Sequence, residues 1–165
     1  MQWNSDEEKI KSFENLKKIQ QKMGFRLLLN ENDSIINGSE SIAVVGVENW
    51  GAGGFKKAGD LEKATSGLSS KEFKILLSHD PSHWNAEVTP SENYCPLTLS
   101  GHTHGMQFGI DIPGWIKWSP IKWRYPQFAG LYKKAKEYLY VNRGFGYLAY
   151  PGITVMTLKK KGIDV

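Results

Sequence analysis

Three short apolar runs constrain this chain more than any other feature: "IAVVGV" at 42–47, "FKILL" at 73–77 and "PLTL" at 96–99. None shows the polar–apolar alternation of a strand with one face in water. Runs of this kind read as strands buried on both faces, the pattern of a sheet enclosed in an α/β domain. Each run ends in a change of chemistry. The first leads to the glycine-rich "NWGAGGF", the second to "SHDP" and the third to "SGHTHG".

The flanking segments fit that frame. Ser5 is placed to cap a helix whose first turn holds Asp6, Glu7 and Glu8. Ile10, Phe13, Leu16, Ile19 and Met23 recur at helical steps, so residues 5–23 read as an amphipathic helix stopped by Gly24. "FRLLL" (25–29) reads as a strand, "NEND" (30–33) as a turn, and Asn37-Gly38 as a hairpin signal. A short helix starts at Asp60. After a Pro/Trp-rich loop (111–126), three late strands are expected in "FAGLYK", "YLYVNRG" and "ITVMTLKK". Early strands interrupted by helices, followed by closely spaced late strands, predict an α/β fold with a mixed β-sheet and flanking helices.

Composition adds exclusions. The chain has 165 residues, 40% hydrophobic and 23% charged, enough for one globular domain with a core. Its net charge of +4 is too weak to argue for nucleic acid. The single cysteine, Cys95, excludes an internal disulfide and a cysteine-based zinc knuckle. No apolar run approaches the ~20 residues that span a bilayer, and the polar, acidic opening lacks the pattern of a secretory leader. The chain itself therefore reads as soluble.

The histidines carry the chemistry. His79 follows one buried run, and His102 and His104 follow another, between Gly101 and Gly105. Ligand sites of open α/β sheets gather at that carboxyl edge, glycines let the backbone turn sharply there, and neutral imidazole is the commonest side-chain metal ligand. The alternative is an ordinary polar turn. The convergence of His79, His102 and His104 on one small volume separates the two readings. His83 lacks such a context and reads as a helix-start or surface residue. "GAGGF" lacks the Gly-Lys-Ser/Thr of a phosphate loop and reads as a flexible surface loop. No Gly-x-Ser-x-Gly elbow occurs, and Cys95 has no partner base in sequence, so nucleophilic catalysis is not expected.

Taken together, "LLSHDP", "GHTHGMQ", "FAGLY", "YLYVNRGFG" and "ITVMTL" resemble the C-terminal half of the calcineurin-like metallophosphoesterase superfamily, in particular a bacterial branch of membrane-associated phosphohydrolases. The resemblance covers residues 70–160 well and the earlier part loosely. It implies the second half of a β-sandwich flanked by helices, acting on a phosphate ester. Two divalent ions (manganese, iron or zinc) about 3.5–4 Å apart would clamp the phosphate and activate water. By position, His79 and His102 would ligate one ion and His104 the other. Thr103 would be a spacer, and Asp80 a local cap or an acceptor behind the ligands.

The family's first half supplies an Asp-x-His, a Gly-Asp whose carboxylate bridges the metals, and a Gly-Asn-His-Asp whose histidine protonates the leaving group. This chain contains no Asp-x-His and no Asn-His, and its only Gly-Asp, Gly59-Asp60, opens a helix. Residues 1–165 are thus expected to form the C-terminal portion of the domain, with no proton donor of their own. Two cations among three imidazoles would repel without a bridging anion, so at most one ion, weakly held, is expected, and no activity. Such a portion should expose an apolar face or strand edge, and so self-associate or await the N-terminal half.

Residues 112–128, "IPGWIKWSPIKWRYPQF", interleave Trp115, Trp118 and Trp123 with Lys117, Lys122 and Arg124. Such a loop can be pinned by its own tryptophans, can meet a membrane interface, or can stack bases; no specific nucleic acid is expected. The alternative to a hydrolase portion is a non-catalytic module that binds a membrane surface or partner through this loop. The resemblance implies a membrane-associated parent protein, and the compartment is left open.

Overall fold

The computed structural model describes residues 5–51, 57–104, 110–112, 115–118, 120–144 and 153–159. Helix α1 (Asp6–Lys22) opens with Ser5 Oγ accepting from the Glu8 amide at 3.2 Å, and Gly24 follows its end at φ +86°. None of its side chains is buried. The strands are β1 (Glu31–Asn37), β2 (Glu40–Gly46), β3 (Phe73–Leu77), β4 (Leu97–Ser100), β5 (Ile110–Ile112), β6 (Ile116–Trp118), β7 (Gly130–Lys134) and β8 (Glu137–Val141), with helix α2 at Leu61–Thr65. Six of them form one mixed sheet, ordered β1-β2-β3-β4-β8-β7. The four central strands run parallel, and the edge strands β1 and β7 pair antiparallel. This is the mixed α/β architecture expected from the chain.

The connection from β2 to β3 carries α2, capped by Asp60, whose Oδ1 accepts from the Lys63 amide at 2.9 Å. The connection from β3 to β4 carries a π-helical turn at Trp84–Val88. Leu61, Ala64, Trp84, Val88 and Cys95 pack with Val45, Leu76, Leu139 and Val141 into the core. The opposite face of the sheet differs. Alternation along the strands places Ile42, Val44, Phe73, Ile75, Leu77, Leu97, Leu99, Leu131, Tyr138 and Tyr140 there. Phe73, Leu77, Leu131 and Tyr138 are exposed, and Ile42, Val44, Ile75 and Leu99 are half-buried. Of these side chains only Leu97 is buried, so the central strands are buried mainly on one face. Both described crossovers pack on one side, and the second face keeps an apolar composition without a described layer over it.

Three further expectations are corrected. "FRLLL" is not a strand, and β1 occupies most of the expected turn. The turn is confined to Asn30, at φ +59°. Its side-chain oxygen accepts from the amides of Glu48 (3.0 Å) and Asp60 (2.9 Å), and its nitrogen donates to the Ala58 carbonyl (2.8 Å) and Glu48 (3.0 Å). One residue thus pins three segments and frees Glu31–Asn37 to pair with β2. Leu28 instead lies across the end of β2, where a Cβ added to Gly46 would fall 2.3 Å from Leu28 Cβ. The third late strand is also absent, as residues 153–159 form none. The strand before it, β8, has β4 and β7 on its two edges, and Thr154 meets the side chains of Tyr140 in β8 and of Asn142 just beyond it. Within the expected loop 111–126, β5 and β6 form a small hairpin, followed by a 3-10 turn at Pro120–Trp123. Among the described residues, no helix is long and apolar enough to cross a membrane.

Candidate metal centre

Pairing between β3 and β4 continues beyond the strands: the Ser78 amide donates to the Leu99 carbonyl (3.0 Å) and Gly101 to that of His79 (3.0 Å). On the other side, Asn142 donates to the Ser100 carbonyl at 2.8 Å. Parallel pairing thus brings His79 and the "GHTH" element to one carboxyl edge. Gly101 lies against the His79 ring, with a built Cβ 3.8 Å from Nδ1. His102 and His104 both hold left-handed backbone, at φ +67° and +48°, which costs a non-glycine residue on the order of 1 kcal/mol. Between them Thr103 turns inward and is buried, its Oγ1 donating to the Phe128 carbonyl at 2.6 Å. The two strained histidines therefore project from an anchored loop.

The rings of His79 and His102 meet edge to face with centroids 5.1 Å apart. His104 is exposed and lies beside Gly144, whose built Cβ would come 3.4 Å from His104 Nδ1. Among the described residues, no three His, Cys, Asp or Glu side chains form a metal-holding group. The structure thus brings two of the sequence-predicted ligands together and leaves the third at their rim. Desolvation of its ring, then the neighbouring His102, hold the His79 pKa below the usual histidine value, against an upward pull from Asp80. A neutral imidazole is the form that ligates a metal. Asp80 is buried, its Oδ1 accepting from the Ser82 amide (2.8 Å) and hydroxyl (2.6 Å), and so caps the turn after β3. Gly105 lies outside the described residues, as does the 52–56 part of the glycine-rich loop.

Two residues of this region were not legible as such. His83, expected at a helix start or the surface, does stand at the start of the Trp84–Val88 turn, but is fully buried there. Its Nδ1 shares a hydrogen bond with Ser78 Oγ (2.9 Å) and its Nε2 with Glu87 (3.2 Å), while its ring stacks on Trp50 at 5.3 Å. The spacing of Glu87 four residues on, across a single helical turn, was the available signal. Tyr125 sets its hydroxyl 2.9 Å from His102 Nε2, over a separation of 23 residues that no local pattern reveals. Burial raises the pKa of its hydroxyl. Burial likewise raises the Cys95 thiol to about 11, which leaves it a packing residue. Trp115 and Trp123 are 81% and 84% exposed, so they do not pin the loop. A groove of about 410 Å³ opens beside His79, lined by Arg26, Leu28, Gly46, Leu77 and Leu99.

Three curated proteins named as metallophosphoesterases, or as carrying such a domain, are similar in sequence. An uncharacterized metallophosphoesterase of Bacillus subtilis (strain 168), YkuE, is 39% identical over 107 residues, covering 61% of this chain and 36% of that protein. An uncharacterized metallophosphoesterase of Aquifex aeolicus (strain VF5) is 26% identical over 151 residues, 86% of this chain and 53% of its own length. These similarities support the metallophosphoesterase resemblance carried by the motifs. A transmembrane protein with a metallophosphoesterase domain, from Danio rerio, is 29% identical over 137 residues, 78% of this chain and 30% of that one. The chain thus spans between about a third and a half of the length of the curated relatives it matches. No family model and no solved structure matches it. Similarity to metallophosphoesterases implies use of a divalent metal. The donors present suit part of one ion's shell, two imidazoles and a third nearby, and do not suit a bridged pair.

Proposed function

We propose that residues 1–165 are the C-terminal portion of a metal-dependent phosphoesterase that hydrolyses a phosphate ester at a two-metal site. The supporting observation is the meeting of His79, from the end of β3, with His102, from the end of β4, at one sheet edge. His79 and His102 would hold one ion and His104 the other. Bound manganese, iron or zinc would polarise the phosphate and supply an activated water. The chain's own contribution is orientation: Gly101 admits the His79 ring, and Thr103 anchors the loop that aims His102 and His104. The bridging carboxylate and the proton donor belong to an N-terminal portion, whose sheet would cover the open apolar face. The isolated chain is expected to bind zinc weakly, with His102→Ala reducing the affinity at least ~10-fold. It is also expected not to hydrolyse bis-p-nitrophenyl phosphate with added manganese. Turnover that His104→Ala abolishes would refute the incompleteness of the site.

The exposure of Trp115 and Trp123 favours a second reading, a membrane-surface module built on residues 112–128. Lys122 and Arg124 are exposed beside them. The parent protein would then be membrane-associated. Cosedimentation with anionic phosphatidylserine vesicles is expected, and Trp115→Ala with Trp123→Ala should weaken it about 10-fold or more. Equal sedimentation of the double variant would sink this reading.

A further inference from the structure

Tyr125 is the inward-turned member of an outward-facing run. Trp123, Arg124 and Pro126 are exposed, whereas Tyr125 is half-buried. Its ring meets that of His102 edge to face, with centroids 5.2 Å apart, and its hydroxyl lies 2.9 Å from Nε2. The same segment is tied down again where the Phe128 carbonyl accepts from Thr103 Oγ1 at 2.6 Å. Residues 125 and 128 therefore contact two successive residues of the "GHTH" element. A neutral imidazole ligates through one nitrogen while its proton sits on the other, and a hydrogen bond to that proton selects the tautomer. With Nε2 engaged by the hydroxyl, and no hydrogen bond at Nδ1 from any described residue, Nδ1 is the nitrogen left to take a ligand.

We propose that Tyr125 is a positioning residue of the metal centre: its hydroxyl accepts the Nε2–H of His102, fixing the tautomer and ring orientation in which Nδ1 ligates. This rests on the metal-centre reading above. The Trp/Lys-rich segment then acts as a structural arm of the site, delivering a hydroxyl to a ligand 23 residues away in sequence.

The test is zinc titration of the 165-residue chain by calorimetry, comparing wild type, Tyr125→Phe and His102→Ala. Phenylalanine keeps the ring and its edge-to-face contact and removes only the hydroxyl. Affinity is expected to fall about 10–100-fold in Tyr125→Phe, with the melting temperature of the metal-free chain unchanged. In ¹⁵N spectra of the zinc-loaded wild type, His102 should carry its proton on Nε2; in Tyr125→Phe that proton should no longer be confined there. Equal or tighter zinc binding by Tyr125→Phe, with His102→Ala still weak, overturns the role of Tyr125 and leaves the metal centre standing. Wild type that binds no zinc overturns both.

Discussion

His83→Ala is expected to lower the stability of the chain by about 3 kcal/mol. The substitution strips Ser78 Oγ of a buried partner and opens a cavity beside Trp50; each effect alone is worth about 1–3 kcal/mol. For a domain of this size that is a fall of roughly 6–12 °C in melting temperature. His83→Gln, which keeps hydrogen-bonding capacity, should fall between the two. The pH dependence has a definite sign. Burial, against the pull of Glu87, holds the folded-state His83 pKa below its unfolded value near 6.5. The folded chain therefore binds fewer protons than the unfolded one, and this contribution is fully present above pH 6.5 and lost as the pH falls below it. Wild type should melt progressively lower from pH 7.5 to pH 5. His83→Ala should show a shallower slope, not a flat one, because His79 is shifted in the same direction. An unchanged slope in the variant would assign the acid sensitivity to other groups.

What could be seen beforehand follows from the range of the forces involved. The caps at Ser5 and Asp60, the stop at Gly24 and the strand character of 73–77 and 97–100 depend on local hydrogen bonds and on unbroken apolar runs, so they appear where expected. The ends of those runs also located His79 beside "GHTH", because parallel neighbours deliver their carboxyl ends to one edge. The misses are long-range. Asn30 was one of four turn-like residues until its contacts with Glu48, Ala58 and Asp60 showed that it alone makes the bend. "ITVMTL" has strand composition, but its described bonds to Tyr140 and Asn142 run through the Thr154 side chain and not through a backbone ladder. His83 and Tyr125 owe their surroundings to tertiary packing. The apolar runs 42–47 and 73–77 reported a sheet meant to be covered twice, whereas the described residues cover it once.

That half-covered sheet leads to the second large effect. The purified chain is expected to self-associate through its open face, and the double substitution Phe73→Glu with Leu131→Glu should return it to a monomer. Both side chains lie on that face and are exposed, so replacing them uncovers no core. Burying a Phe or Leu at a contact contributes about 2 kcal/mol, and a carboxylate in its place adds a desolvation cost. Each substitution should thus weaken association roughly 30-fold or more. Light scattering over a wide concentration range would read the change, and a wild type that stays monomeric throughout would refute it. Helix α1 offers a rival surface, since Phe13 and Leu16 are also exposed. Phe13→Glu with Leu16→Glu separates the two: loss of association there and not in the sheet variant would place the contact on the helix. The melting temperature distinguishes this effect from misfolding. The sheet variant removes only exposed apolar surface and should melt within a few degrees of wild type at low concentration, in contrast to His83→Ala. A face that controls association without controlling the fold is what a sheet with no second layer among the described residues requires.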